Sequence, residues 1–92
     1  MRYEFKPAFD RSLKSLLPGQ KDDLVSSCLA FLDFLEKRSP LPAGLGLKRL
    51  RDGYWEIRRG LRNRILFRWT EDLVEFTLAG DHDSIKDFLK DA

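Results

Sequence analysis

Apolar and polar residues alternate from Arg2 to Pro7, with Tyr3 and Phe5 on one side and Arg2, Glu4 and Lys6 on the other. That is the period of a half-buried strand, and Pro7, which has no N–H to give to a ladder, ends it. Phe9, Leu13, Leu16 and Leu17 then recur at helical spacing, and Pro18-Gly19 stops this short helix. A second helix is predicted to begin between Gln20 and Asp23, where Asp22 and Asp23 suit the positive end of the helix dipole. Leu24, Cys28, Phe31, Leu32 and Leu35 make its apolar face, and Lys37 and Arg38 sit at its negative end. A connection this short predicts an antiparallel helical hairpin.

Ser39 to Gly46, with two prolines and two glycines, cannot continue a helix and reads as a loop back to a sheet. Beyond it the period changes to two. Strands are predicted over Tyr54–Arg59, Arg62–Trp69 and Leu73–Ala79, joined at Gly60-Leu61 and Thr70-Glu71-Asp72 by turns short enough for antiparallel hairpins. From Asp81 onward Ile85, Phe88 and Leu89 give one apolar stripe, so the chain closes with a short helix. The predicted order is β-α-α-β-β-β-α, an α+β fold with a helical hairpin on one face of a curled antiparallel sheet. Its 92 residues suffice for one domain with one modest core.

Strand parity then separates two sheet faces. Ile65, Phe67 and Trp69 share one side of the middle strand; Arg62, Arg64, Leu66 and Arg68 share the other. Val74, Phe76 and Leu78 oppose Leu73, Glu75, Thr77 and Ala79, while Trp55 and Ile57 oppose Tyr54, Glu56 and Arg58. One face is aromatic and branched, ready to receive the hairpin, and parity puts Trp55 and Trp69 on it. The other face, left open, carries Arg58, Arg64 and Arg68 with Tyr54 and Glu56.

Charge sharpens that contrast. The formal net charge is only +2, yet Lys48, Arg49, Arg51, Arg58, Arg59, Arg62, Arg64 and Arg68 fall in one stretch opposed by Asp52 and Glu56 alone. Such asymmetry suggests a polyanion-binding region, in which arginines fork onto phosphates and Tyr54 stacks on a base. The same residues also suit cross-strand ion pairs that keep the face soluble. The single histidine lies in Gly80-Asp81-His82-Asp83, between the last strand and the last helix. A histidine held there can move protons near neutrality; equally, an aspartate beside it can cap the helix, leaving His82 a surface turn residue. Three adjacent residues without a second histidine are a poor metal site. Cys28, alone, excludes an internal disulfide and fits a helix stripe as a small hydrophobe. No phosphate-binding glycine loop, nucleophile elbow, cofactor motif, signal-peptide pattern or membrane-length apolar run is present. A cytoplasmic location without membrane association or small-molecule cofactor is the expectation.

The succession Leu47-Lys48-Arg49-Leu50, Tyr54-Trp55-Glu56-Ile57-Arg58, Arg62-Asn63-Arg64-Ile65-Leu66-Phe67 and Gly80-Asp81-His82-Asp83, after a hydrophobic helical hairpin, resembles the RelE/ParE superfamily of toxins. The resemblance spans nearly the whole chain. It implies the toxin of a type II toxin–antitoxin system, with a cognate antitoxin as partner. For the RelE branch it implies a metal-independent endoribonuclease that cuts mRNA in the A site of the 70S ribosome, the 2′-hydroxyl attacking the adjacent phosphate. By position, Arg64 and Arg58 match family cations on the scissile phosphate and His82 the proton-transfer position. Lys48, Arg49, Arg51, Arg68 and Tyr54 become candidates for RNA or ribosome contact. Two features depart from the pattern: Phe88 stands where some members have tyrosine, and Ala43 to Leu47 lacks the glutamate of others, which Glu56 could replace. The resemblance leaves two alternatives open, a non-catalytic ParE-like inhibitor of DNA gyrase and a toxin-derived binding module without activity.

Overall fold

In the computed structural model, which describes residues 1–91, eight elements follow one another: β1 (Arg2–Phe5), α1 (Pro7–Lys14), α2 (Pro18–Leu35), β2 (Leu45–Arg49), β3 (Tyr54–Arg59), β4 (Asn63–Thr70), β5 (Leu73–Gly80) and α3 (His82–Asp91). The strands form one sheet in the order β1-β5-β4-β3-β2. Among the described residues no helix is long and apolar enough to cross a membrane.

The predicted elements are present, with four differences that have physical causes. First, Pro18 does not end a helix but starts one. It occupies the first position of α2, where its missing N–H costs nothing, while α1 has already closed at Ser15. Leu17, expected in the apolar stripe, is the last residue before α2 and is 75% exposed. Second, the loop ends sooner than expected, because Leu45–Arg49 pairs with β3 as a fifth strand. Its alternation is short and broken by Gly46, so only the burial of Leu45 and the half-burial of Leu47 disclose its inner face.

Third, the sheet is mixed rather than antiparallel. β1 lies parallel to β5, with Tyr3 opposite Val74 and Phe5 opposite Phe76. Fourth, the parity read along β5 holds only as far as Phe76. Phe67 pairs with Phe76 but Leu66 pairs with Leu78, so Thr77 is an extra residue, a bulge. The bulge turns Ala79 to the helix side, where it is 3% exposed, and Leu78 to the opposite side, the reverse of the expected assignment.

The core lies between the helical hairpin and the first sheet face. Phe31 of α2 meets Phe67 at 4.8 Å between ring centres, Phe67 meets Phe76 at 6.0 Å, and Phe76 stacks on Phe5 at 5.0 Å. Trp55 and Trp69 lie on this same side, 5.7 Å apart, packed against the buried cluster. Cys28 is part of it, and burial pushes its thiol up to about 12, so it packs rather than reacts.

The second face is not left bare. Leu66 is fully buried yet sits opposite the core, and it is α3 that covers this side of the sheet. Ile85 of α3 is 3% exposed, and Phe88 meets Tyr54 edge-on at 6.3 Å. α3 therefore packs on the face opposite α1 and α2.

Candidate functional site

Register fixes how the second face is laid out. Gly46, Arg58, Arg64 and Gly80 form one row across β2, β3, β4 and β5. Lys48, Glu56, Leu66 and Leu78 form the next, and Tyr54, Arg68 and Glu75 the one after. Gly46 presents no side chain beside Arg58, so the arginine has room above the edge strand.

Glu56 is the centre of this face. It is only 2% exposed, and a carboxylate so placed needs paired charge. Arg58 Nε donates to Glu56 Oε2 at 3.2 Å. Arg64 Nε lies 3.2 Å from Oε1, close enough for a strong Coulombic attraction but off the line of a hydrogen bond, and neither atom has another partner among the described residues.

The two arginines differ in what remains of them. Arg64 is nearly buried, and its outer nitrogens clamp the β3–β4 turn: Nη1 donates to the carbonyls of Gly60 and Asn63 at 3.2 and 3.0 Å, and Nη2 to that of Leu61 at 3.1 Å. Arg58 is 40% exposed and held only at Nε, which leaves its two terminal amino groups free of partners among the described residues. A guanidinium fixed at its base and free at its tip is prepared for a phosphate.

α3 brings the histidine to the same place. Asp81 caps the helix, its Oδ1 accepting from both the N–H and the hydroxyl of Ser84 at 2.8 Å. Those bonds hold the Asp81 carboxyl below its ordinary range. A group depressed on folding stabilises above its unfolded value and loses that contribution only as pH falls through the lowered one, so the cap is complete at neutral pH. His82, exposed on the first turn, then lines a cleft of about 140 Å³ with Lys48, Glu56, Arg58, Ile85 and Lys86.

The close approach of α3 depends on Gly80. A Cβ there would stand 3.1 Å from Ser84 Cβ and 3.2 Å from its hydroxyl. Gly80→Ala is expected to push the first turn of α3 outward by a few tenths of an ångström, and any activity that depends on the geometry of the cleft should fall about tenfold with it, since misplacement of that kind is costly. The thermal midpoint should fall much less than in a core truncation; comparing the two readouts on the purified variant checks this.

The remaining candidates are spread more widely. Tyr54 and Arg68 face each other on the second side, the guanidinium carbon 5.8 Å from the ring centre, and Phe88 also meets that ring. Arg51 lies in the β2–β3 connection and donates to the carbonyl of Leu89 near the end of α3. Arg49 is opposite Trp55 in register, which puts it on the helix side of the sheet, away from Lys48 and the cleft. Lys86, which the sequence does not single out, also lines the cleft. Its spacing of four from His82 was the available signal, since residues so spaced share a helix face.

A five-stranded sheet with a hairpin on one side and a terminal helix on the other has close structural counterparts. The chain superposes on the RelB–RelE antitoxin–toxin complex of Methanococcus jannaschii with a TM-score of 0.66, covering 92% of this chain and 96% of that one at 22% identity. The fold is that of the RelE and YafQ toxins. The DinJ–YafQ complex of E. coli gives a TM-score of 0.69 over 92% of this chain and 98% of that one at 20% identity. The toxin–antitoxin complex RelBE2 of Mycobacterium tuberculosis gives 0.59 over 88% and 96% at 24% identity. No protein-family model and no curated protein matches at the level of sequence.

Proposed function

We propose that this chain is the toxin of a type II toxin–antitoxin pair and cuts mRNA on the ribosome without a metal. The observation that carries the reading is a single cleft lined by His82, Arg58 and buried Glu56, with the terminal amino groups of Arg58 free of partners among the described residues. The fold shared with the RelE and YafQ toxins supports it, and their complexes with RelB and DinJ support an antitoxin as partner.

The chemistry requires few parts. The 2′-oxygen of a ribonucleotide bonds to the adjacent phosphorus as its proton leaves, the bond to the 5′-oxygen breaks, and that oxygen takes up a proton. His82 serves as general base or general acid for one of the two transfers. Arg58 forks onto the non-bridging oxygens, where negative charge builds, and Lys48 and Lys86 add to the positive field. Arg64 acts through Glu56 and the β3–β4 turn, holding the carboxylate that in turn orients Arg58. A nucleic acid without a 2′-hydroxyl is not a substrate. Tyr54, Arg68 and Arg51 lie farther along the same side and contact message or ribosome; Arg49, on the helix side, can do so only from the sheet edge.

Primer extension on a message translated in a purified bacterial system tests the reading. Cuts at codon-spaced positions that vanish when ribosomes are omitted are expected. An intact message in the presence of folded protein would overturn RNA cleavage and turn attention to inhibition of DNA gyrase, measured as supercoiling.

A further inference from the structure

α3 is striped. His82, Lys86 and Lys90 are spaced four apart and share one face; Asp83 and Asp87, one position on, share the adjacent face; Ile85, Phe88 and Leu89 make the apolar side. The fold gives the basic stripe a counterpart. Lys86 borders two clefts at once, the one containing His82 and Arg58 and a second of about 410 Å³ that it lines with Arg51, Leu89 and Lys90. The two clefts adjoin between α3 and the β2–β3 edge, sharing Lys86 and Leu89 in their linings, with Lys48 and Arg58 in one and Arg51 in the other. Arg51 is anchored there by its bond to the Leu89 carbonyl, and Lys86 and Lys90 are exposed. Among the described residues Asp52 is the one carboxylate paired with Arg51, at 3.9 Å, while Asp83, Asp87 and Asp91 follow the helix stripe beside the basic one.

We infer that these adjoining clefts are a track for the backbone of single-stranded RNA, leading from the His82–Arg58 cleft along α3 to Arg51 and Lys90. The inference rests on the proposed RNA-cleaving function and extends it by giving the bound strand a path. From His82 to Lys90 the helix rises about 12 Å, which is room for a few phosphates. The contacts are to backbone, because the lysines carry point charges and the two arginines are each anchored, Arg58 on Glu56 and Arg51 on the Leu89 carbonyl. RNA is favoured over an acidic protein segment because the Arg51–Lys90 cleft adjoins, through Lys86 and Leu89, the cleft where a phosphate would react.

Fluorescence anisotropy with a labelled 2′-O-methyl oligouridylate, which binds but cannot be cut, provides the test across a range of salt. The variant Lys86→Gln/Lys90→Gln is expected to bind on the order of tenfold more weakly at low salt, and the slope of log affinity against log salt should fall by about 1.4, roughly 0.7 for each lost single-strand contact. Lys14→Gln/Lys37→Gln, which removes the same charge from exposed positions on α1 and after α2, should leave the slope unchanged. Equal slopes in both variants, or no binding by the unaltered protein, would overturn the track. Displacement of the probe by polyglutamate at matched charge would also overturn it and assign the clefts to an acidic protein segment. The two readings fail separately: codon-spaced cleavage with no effect of Lys86 and Lys90 on binding leaves the function standing without the track, and a lysine-dependent slope without cleavage does the reverse.

Discussion

Replacing His82 with alanine should reduce message cleavage by roughly 10²–10⁴-fold while the protein stays folded. The imidazole is exposed, and the cap that starts α3 belongs to Asp81 and Ser84, so nothing structural is lost with it. The loss should fall on the chemical step: kcat drops and the affinity for a non-cleavable RNA hardly changes. Arg58→Ala is expected to behave differently, weakening both, because a phosphate clamp acts in the bound complex as well as in the transition state. The decisive comparison is the pH profile. One limb of the wild-type profile should be missing in His82→Ala, with thermal unfolding midpoints that agree. Cleavage within a factor of a few of wild type would remove His82 from the reaction and leave the cleft to its cations.

Much of this arrangement is legible in the sequence, and the exceptions share a cause. Period-two and helical spacing locate the helical hairpin, the β3–β4–β5 meander and α3, because each buries a face long enough to impose its period. β2 is missed because five residues with a glycine among them carry too little alternation to outweigh the loop before them. The bulge at Thr77 is invisible for a related reason: Leu78 and Ala79 are both apolar, so exchanging their faces leaves the pattern intact. α3's position depends on that exchange, since Leu78 supplies apolar surface beside Leu66 on the side where Ile85 docks. Strand parity shows that Arg58 and Arg64 share a face with Glu56. It cannot show that Arg64 spends its outer nitrogens on the carbonyls of a turn while Arg58 keeps its own. That division comes from three-dimensional proximity alone, and it separates a structural arginine from one available to a ligand.

Glu56→Gln should be the most damaging single change to the second face. Arg58 and Arg64 stand directly opposite each other in the β3–β4 register, and Glu56 is the charge between them. With glutamine there, the shape survives but two guanidinium groups face one another across neighbouring strands, one of them nearly buried. Removing one partner of a buried ion pair costs about 3–5 kcal/mol, whereas the Arg58 side of the network, 40% exposed, is screened and contributes the smaller share. A domain of this size has roughly 5–15 kcal/mol in total, so urea unfolding should show a large loss and the thermal midpoint should fall by more than about 10 °C. A second substitution makes the cause identifiable. Arg64→Met in the Glu56→Gln background removes the unpaired buried charge, and the double variant should recover at least about 1 kcal/mol relative to the sum of the single ones. Additive losses would mean that Glu56 and Arg64 stabilise the sheet independently. A loss below about 1 kcal/mol for Glu56→Gln alone would mean that the carboxylate holds neither arginine, and the orientation of Arg58 would then need another source.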